Sequence, residues 1–193
     1  METSDFQPAL SAAALFNTFP RPWCVAGGWA LDLFLGRLTR QHDDVQLAVL
    51  REHLMDLPQH LPKWTWKLSI NRTLRPWDGR QYLMLPIHEL HATGLKKESV
   101  EVLLQEGDGI DWQYRRDFSV RLNLSKWIVP GPMGVPLLNP AIVLLYKSKT
   151  PKPKDELDFR SAIHSGRLST VDLDWLGSAL FRLNPTHPWL AQM

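Results

Sequence analysis

The feature that most constrains the fold is a pair of glycines between a short apolar segment and a helical pattern. Residues 23–26 are apolar and predict a short strand, Gly27 and Gly28 follow directly, and residues 29–35 carry apolar side chains at helical spacing. Residues 44–50 then alternate between apolar and other side chains, which predicts a second strand. The order of strand, glycine turn, helix and strand indicates a sheet with a helix packed on it.

Further patterns extend this sheet. A helix is predicted over residues 6–19, and strands are predicted over 64–70, 81–85, 100–104 and 120–124. Because the strands and helices are interleaved without strict alternation, they favour an α+β fold with a mixed β-sheet flanked by helices.

Prolines suggest where this organisation changes. Six of the 15 prolines fall close together, at Pro130, Pro132, Pro136, Pro140, Pro151 and Pro153. Regular structure passes through such a stretch only in short pieces. We therefore predict two parts, a sheet-containing domain over residues 1–129 and a small helical C-terminal segment over residues 130–193.

The C-terminal segment carries three helix signals. Asn139 is a candidate N-cap with Pro140 at the first helical position, which predicts a helix that runs to Lys149. A second helix is predicted over residues 154–164, and a third begins near Ser169. Asn184 and Pro185 end this third helix.

Composition excludes several classes of protein. The formal net charge is only +2, which is too small to indicate a nucleic-acid surface. The longest apolar run, residues 141–146, has six residues, whereas a membrane helix needs about 20. Cys24 is the single cysteine, and the acidic N-terminal residues 1–5 lack a basic signal region. We expect a soluble protein of the cytoplasm, with no membrane partner.

The glycine turn and the strand after it suggest a chemical role. Two glycines at the start of a helix expose backbone N–H groups that suit a phosphate, and an acidic residue on the next strand can hold a metal ion beside it. The simpler alternative is that Gly27 and Gly28 only permit a tight turn, and that Asp43 and Asp44 only solvate the start of a strand.

The same region resembles a known family. Gly-Gly-Trp-Ala-Leu-Asp at 27–32 and Gly-Arg-Leu-Thr-Arg-Gln-His-Asp-Asp at 36–44 resemble the nucleotidyltransferase superfamily that includes DNA polymerase β, and within it the aminoglycoside and lincosamide branch. The resemblance continues, in order, through residues 112–117, 144–149, 153–159 and 187–189. It implies a nucleotidyltransferase-like fold and a cleft that binds ATP or another nucleoside triphosphate with Mg²⁺.

The resemblance also implies a set of site residues. Asp44 holds metal. The third carboxylate of the family matches Glu101, with Glu98 and Glu106 as alternatives that fit the strand less well, and it holds metal or accepts a proton from the attacking hydroxyl. The family's second metal-binding acid falls on Gln46, which offers a carbonyl oxygen but no charge. Asp43 does not replace it easily, because neighbouring strand residues point to opposite faces. The nucleotide contacts fall on Gly27, Gly28, Arg40 and Lys147.

Other residues allow more than one interpretation. Lys147 either reaches a nucleotide phosphate or complements the helix dipole in solvent. Arg115 and Arg116 either clamp an anionic group or form salt bridges. His88 and His91 are three residues apart, without the spacing of a zinc motif or an evident third ligand, so the sequence argues against a zinc site.

Two functions remain from these observations. The first is Mg²⁺-dependent transfer of a nucleotide to a hydroxyl of an aminoglycoside-like small molecule, impaired because Gln46 stands at the second acidic position. The second is a non-catalytic protein that keeps the fold and binds a nucleotide or a partner. The sequence does not identify the acceptor.

Overall fold

The structure is a computed structural model that describes residues 3–71 and 73–193. Met1 and Glu2, from the acidic N-terminal run, and Arg72 lie outside the described residues. Within those ranges, the helices are α1 (Gln7–Phe16), α2 (Gly27–Leu35), α3 (Asp56–His60), α4 (Pro140–Ser148), α5 (Pro153–His164) and α6 (Thr170–Leu183). The strands are β1 (Trp23–Ala26), β2 (Gln46–Leu50), β3 (Thr65–Ile70), β4 (Thr73–Trp77), β5 (Glu89–Thr93), β6 (Ser99–Gly107), β7 (Asp111–Gln113), β8 (Arg121–Asn123), β9 (Ile128–Pro130) and β10 (Pro136–Leu138).

The strands form one mixed sheet. Its order is β4-β3-β5-β6-β2-β1-β10-β9, and β7 and β8 continue from the far end of β6. The pairs β1–β10 and β2–β6 are parallel, and the remaining pairs are antiparallel. The predicted α+β fold with a mixed sheet is therefore confirmed.

The centre of the sheet is covered on both faces. In β2 every residue after Gln46 is buried, including the neighbours Leu47 and Ala48. A strand with one face in solvent would alternate instead. β2 also begins at Gln46, so Asp44 lies in the exposed loop just before the strand.

The C-terminal helices begin where the sequence predicts. The Asn139 side chain accepts a hydrogen bond of 2.9 Å from the Ala141 amide, which confirms the predicted N-cap of α4. The Ser169 hydroxyl accepts one of 3.1 Å from the Asp172 amide at the start of α6. These caps are recognisable because they depend only on residues two or three positions apart.

The predicted strand over residues 81–85 is wrong. Carbonyls of this segment accept hydrogen bonds from side chains and from a local turn rather than from a neighbouring strand: Trp77 donates to Gln81 at 3.0 Å, Arg51 donates to Leu83 at 2.8 Å, and the Ile87 amide donates to Met84 at 3.1 Å. β4 and β5, the true strands of this region, were not predicted. β4 is mostly exposed at the edge of the sheet, so it lacks the apolar alternation that marks a strand.

The sheet continues past the predicted boundary near residue 130. β10 pairs in parallel with β1 through Val25 and Leu137, and the helices follow from Pro140 onward. The division into two parts therefore stays a prediction. Among the described residues, no helix has both the length and the apolar character needed to cross a membrane.

Candidate functional site

The glycine turn joins β1 to α2 in very little space. Gly27 has a φ of 63°, a left-handed conformation that favours glycine. A Cβ on Gly27 would overlap the Gln46 amide oxygen, and a Cβ on Gly28 would overlap Arg40 and His42. Both glycines are therefore required for close packing against the loop before β2 and against β2 itself. Their contact with a phosphate stays a prediction.

The loop before β2 is fixed by a buried acid on α2. His42 Nε2 lies 2.6 Å from one oxygen of Asp32, and the Thr39 hydroxyl donates to the other at 2.6 Å. The His42 ring packs on Trp29 with ring centres 4.6 Å apart. Since Asp32 is fully buried, these partners satisfy a carboxylate that water does not reach. These contacts give a structural role to several residues of the segments 27–32 and 36–44, which resemble the family.

Arg40 and Lys147 share one buried carboxylate. Arg40 donates to both oxygens of Asp158 at 3.0 Å. Lys147 Nζ lies 2.9 Å from Asp158 and 2.8 Å from Asp155. Burial alone lowers the pKa of Arg40, but Asp158 outweighs this effect and the pKa is raised. These pairs tie the loop before β2 to α4 and α5, and both predicted nucleotide-binding cations are engaged within the protein.

Gln46 and Glu101 contact each other directly. They are aligned on the parallel strands β2 and β6, and the Gln46 amide nitrogen donates to Glu101 Oε2 at 2.8 Å. Burial raises the pKa of Glu101, and the charges of Asp44 and Glu89 act in the same direction. The hydrogen bond from Gln46 opposes this rise. The structure thus brings the three predicted metal-site residues, Asp44, Gln46 and Glu101, to one end of β2.

This donor set does not fit the magnesium site that the resemblance implies. Mg²⁺ binds oxygen ligands, preferably anionic ones. At Gln46 the group turned towards Glu101 is an N–H donor, and it occupies the Glu101 oxygen that a shared cation would need. The native contact between Gln46 and Glu101 is therefore unfavourable for Mg²⁺ at this position.

A cavity of about 350 Å³ opens beside this cluster, between the sheet and α4. Its cations include Arg115, stacked 5.3 Å from the Tyr146 ring centre, and Arg116, which donates to the Tyr114 hydroxyl at 2.8 Å. Burial lowers the pKa of Arg115, for which the described residues provide no ion-pair partner. The main lining residues are Gly27, Gln46, His88, Glu89, Arg115, Arg116, Tyr146, Lys147, Lys149 and Asp155.

Sequence reasoning missed several of these residues. Asp158 stands near the start of a predicted helix, where acidic residues are common in any case, yet it pairs with a cation 118 positions away. Glu89 and His91 lie on β5, which was not predicted, and no pattern in the sequence indicates that they lie beside Glu101. Arg115 was open to two interpretations, and no ion pair among the described residues supports the salt-bridge alternative.

The fold is shared with solved antibiotic-modifying proteins. A lincosamide antibiotic adenylyltransferase, LnuA, solved with bound lincomycin, matches with a TM-score of 0.57 at 14% identity over 81% of this chain and 95% of the other. The solution structure of the antibiotic-resistance factor ANT(2″)-Ia matches with a TM-score of 0.57 at 19% identity, over 96% of this chain and 95% of the other. Its crystal structure with adenylyl-2″-tobramycin gives 0.55 at 17% identity, over 92% and 98%. At these identities the likeness shows the fold alone.

Sequence comparison shows the family. No curated protein sequence matches the chain. A family model described as aminoglycoside-2″-adenylyltransferase matches residues 10–131, which is more than half of the 193 residues and includes the glycine turn, Gln46 and Glu101. The chain therefore belongs to the aminoglycoside-2″-adenylyltransferase family.

Proposed function

We propose that this chain binds a nucleoside triphosphate in the cavity beside Gln46, and that its transfer of the nucleotide to a hydroxyl of an aminoglycoside-like molecule is impaired. Membership of the family supports nucleotidyl transfer as the underlying chemistry. The single observation that carries the impairment is the 2.8 Å hydrogen bond from the Gln46 amide to Glu101. A cytoplasmic location is part of the same proposal.

The chemistry of nucleotidyl transfer explains why the amide of Gln46 should lower the rate strongly. Nucleotidyl transfer depends on positioning the phosphate and on neutralising the charge that develops around it. In this chain, Glu101 and Asp44 supply two negative charges where the family pattern supplies three. Mg²⁺ binding at this position is therefore weak in our proposal, whereas the cavity and its cations remain for the nucleotide.

A titration with ATP tests this proposal. The native protein is expected to bind ATP with little dependence on Mg²⁺, and Gln46→Asp is expected to make binding Mg²⁺-dependent, because it restores a carboxylate beside Asp44 and Glu101. Calorimetry in the presence and absence of Mg²⁺ measures both. Gln59→Asp, which adds the same charge on the exposed side of α3, is the matched control. Absence of ATP binding in the native protein would overturn the proposal, whether or not Gln46→Asp binds.

Arg115 is the cavity cation best placed to bind the phosphates. Lys147 is neutralised by Asp155 and Asp158, whereas Arg115 is half-buried, held on the Tyr146 ring and free of acidic partners among the described residues. A phosphate group would supply the missing counter-charge. Charge-assisted hydrogen bonds of this kind contribute about 1.5–3 kcal/mol.

The prediction for Arg115→Gln is a loss of ATP affinity of about 10- to 100-fold. Arg75→Gln, on the exposed edge strand β4, serves as the control and leaves the affinity unchanged. Dissociation constants from the same calorimetric titration measure the effect. Equal affinities for the native protein and Arg115→Gln would place the phosphates elsewhere.

A second candidate function is a non-catalytic binding protein. The pairing of Arg40 and Lys147 with the buried Asp158 favours it, because these pairs use cations that the resemblance assigns to the nucleotide. The two candidates differ in one measurement. A non-catalytic protein forms no nucleotidylated aminoglycoside even with Gln46→Asp, whereas an impaired enzyme regains product.

A further inference from the structure

A histidine lies next to Glu101 on the side opposite Gln46. The antiparallel register of β5 and β6 pairs His91 with Glu101, and the parallel register of β2 and β6 pairs Gln46 with Glu101. The three side chains therefore form a row on one face of the sheet. Glu89 stands two residues before His91 on β5 and shares this face, because side chains alternate along a strand.

The two ring nitrogens of His91 have different surroundings. Nε2 lies 2.8 Å from Glu89 Oε1, a hydrogen-bond distance, and the carboxylate can only accept. The proton of a neutral imidazole is therefore held on Nε2, which leaves a lone pair on Nδ1. Nδ1 lies 3.6 Å from Glu101 Oε1, too far for a hydrogen bond.

This gap between Nδ1 and Oε1 matches the separation of two ligands on one metal ion. Bonds of about 2.0–2.1 Å to a tetrahedral ion place neighbouring ligand atoms roughly 3.3 Å apart. Glu101 Oε1 is free for this role because the hydrogen bond from Gln46 uses the other oxygen. Ligand atoms of Glu89, His91 and Glu101 all lie within 4.8 Å of one another.

The contact between Glu89 and His91 is also the arrangement that supports a metal-binding histidine. Such histidines commonly donate their second N–H to a carboxylate, which fixes the orientation of the ring and makes the other nitrogen a better ligand. The three side chains are partly exposed, by 29%, 26% and 17% for Glu89, His91 and Glu101, so a cation has a route to the site.

We propose that His91 Nδ1 and Glu101 Oε1 bind a transition-metal cation such as Zn²⁺ or Co²⁺, with Glu89 orienting the imidazole and water completing the coordination. An imidazole ligand favours these cations over Mg²⁺, which prefers oxygen. The site differs from the Asp44, Gln46 and Glu101 set that the family resemblance implies. It goes beyond the proposed function, since cation binding here requires neither nucleotide nor acceptor.

Direct metal titration of the full chain tests this site. Protein freed of metal with a chelator is titrated with Zn²⁺ by calorimetry and with Co²⁺ by visible absorption, without nucleotide. We expect one Zn²⁺ per chain, a Co²⁺ spectrum that reports nitrogen and oxygen ligands, and much weaker binding of Mg²⁺. Absence of saturable Zn²⁺ and Co²⁺ binding would overturn the proposal.

Variants then separate a built site from binding at any histidine. His91→Gln removes a ligand and abolishes the specific Co²⁺ spectrum. Glu89→Gln keeps both ligands but weakens the orientation of the ring, which lowers affinity by about 10- to 100-fold. His88→Gln is the control, because His88 is a nearby histidine whose Nδ1 lies 2.7 Å from the Pro86 carbonyl instead.

The variants decide whether the cation binds at His91 and Glu101. Circular dichroism of the metal-free variants confirms that they are folded. If His91→Gln binds Zn²⁺ as tightly as the native protein, or if His88→Gln loses binding instead, the assignment to His91 and Glu101 is wrong. Because nucleotide is absent throughout, such a failure leaves the proposed nucleotide binding standing, and a failure to bind ATP leaves the metal site standing.

Discussion

Asp158→Asn is expected to lower the free energy of unfolding by about 3–5 kcal/mol, the usual effect of breaking a buried ion pair from one side. The Asp158 side chain is fully buried and contacts Arg40 at 3.0 Å and Lys147 at 2.9 Å. Asparagine keeps the size of the side chain but removes its charge, so Arg40 loses its bidentate carboxylate partner and Lys147 retains its contact with Asp155. Urea unfolding followed by tryptophan fluorescence measures the change.

Asp174→Asn is the matched control for this prediction. Asp174 is an exposed acid on α6, and its replacement should change stability by no more than about 0.5 kcal/mol. A loss of less than about 1 kcal/mol for Asp158→Asn would show that the pairs formed by Asp158 are no more stabilising than exposed salt bridges.

The stabilisation that Asp158 provides should depend on pH. Burial alone raises the pKa of Asp158, but the hydrogen bonds and charges of Arg40 and Lys147 outweigh it and the pKa is lowered. The stabilisation of the folded state by ionised Asp158 is therefore fully present above the pKa of an aspartate in the unfolded chain. It is lost as the pH falls through the lower pKa that Asp158 has in the folded protein. The stabilities of the native protein and Asp158→Asn should converge in acid.

The long-range pairs of Asp158 mark where sequence reasoning ends. The family resemblance implied that Arg40 and Lys147 contact a nucleotide. Their partner lies on α5, 118 positions from Arg40, and no local pattern indicates which acid folds against which base. By contrast, the Asn139 cap was predictable because its donor is two residues away.

Within the candidate site, too, local features were predictable from the sequence and long-range contacts were not. Alternation in β2 and β6 was enough to predict that Gln46 and Glu101 lie on strands, and the resemblance implied that they belong to one site. The direct hydrogen bond depends on the register between the two strands, which the sequence does not encode locally. The position of His91 beside Glu101 could not be predicted for the same reason, because the two residues lie on different strands.

Gln46→Asp is expected to raise the rate of nucleotidyl transfer to an aminoglycoside by about 100-fold or more in the presence of ATP and Mg²⁺. The estimate follows from the several kcal/mol by which a well-held metal ion stabilises charge at the reacting phosphate. The substitution replaces the N–H donor at Glu101 with a third carboxylate. Pyrophosphate release with and without acceptor measures the rate, and Gln59→Asp is again the control.

Gln46→Asp should also lower the stability of the folded protein when no Mg²⁺ is bound. Without metal, Gln46→Asp removes the hydrogen bond to Glu101 and sets two carboxylates against each other, which lowers stability by about 1–3 kcal/mol. Mg²⁺ should recover this loss, because a cation that binds only the folded state stabilises it by mass action. Thermal unfolding with and without Mg²⁺ therefore reports the site independently of any acceptor. If Mg²⁺ stabilises Gln46→Asp without restoring transfer, the metal position is correct and the result supports the non-catalytic binding protein, the candidate that the pairing of Lys147 with Asp155 and Asp158 favours.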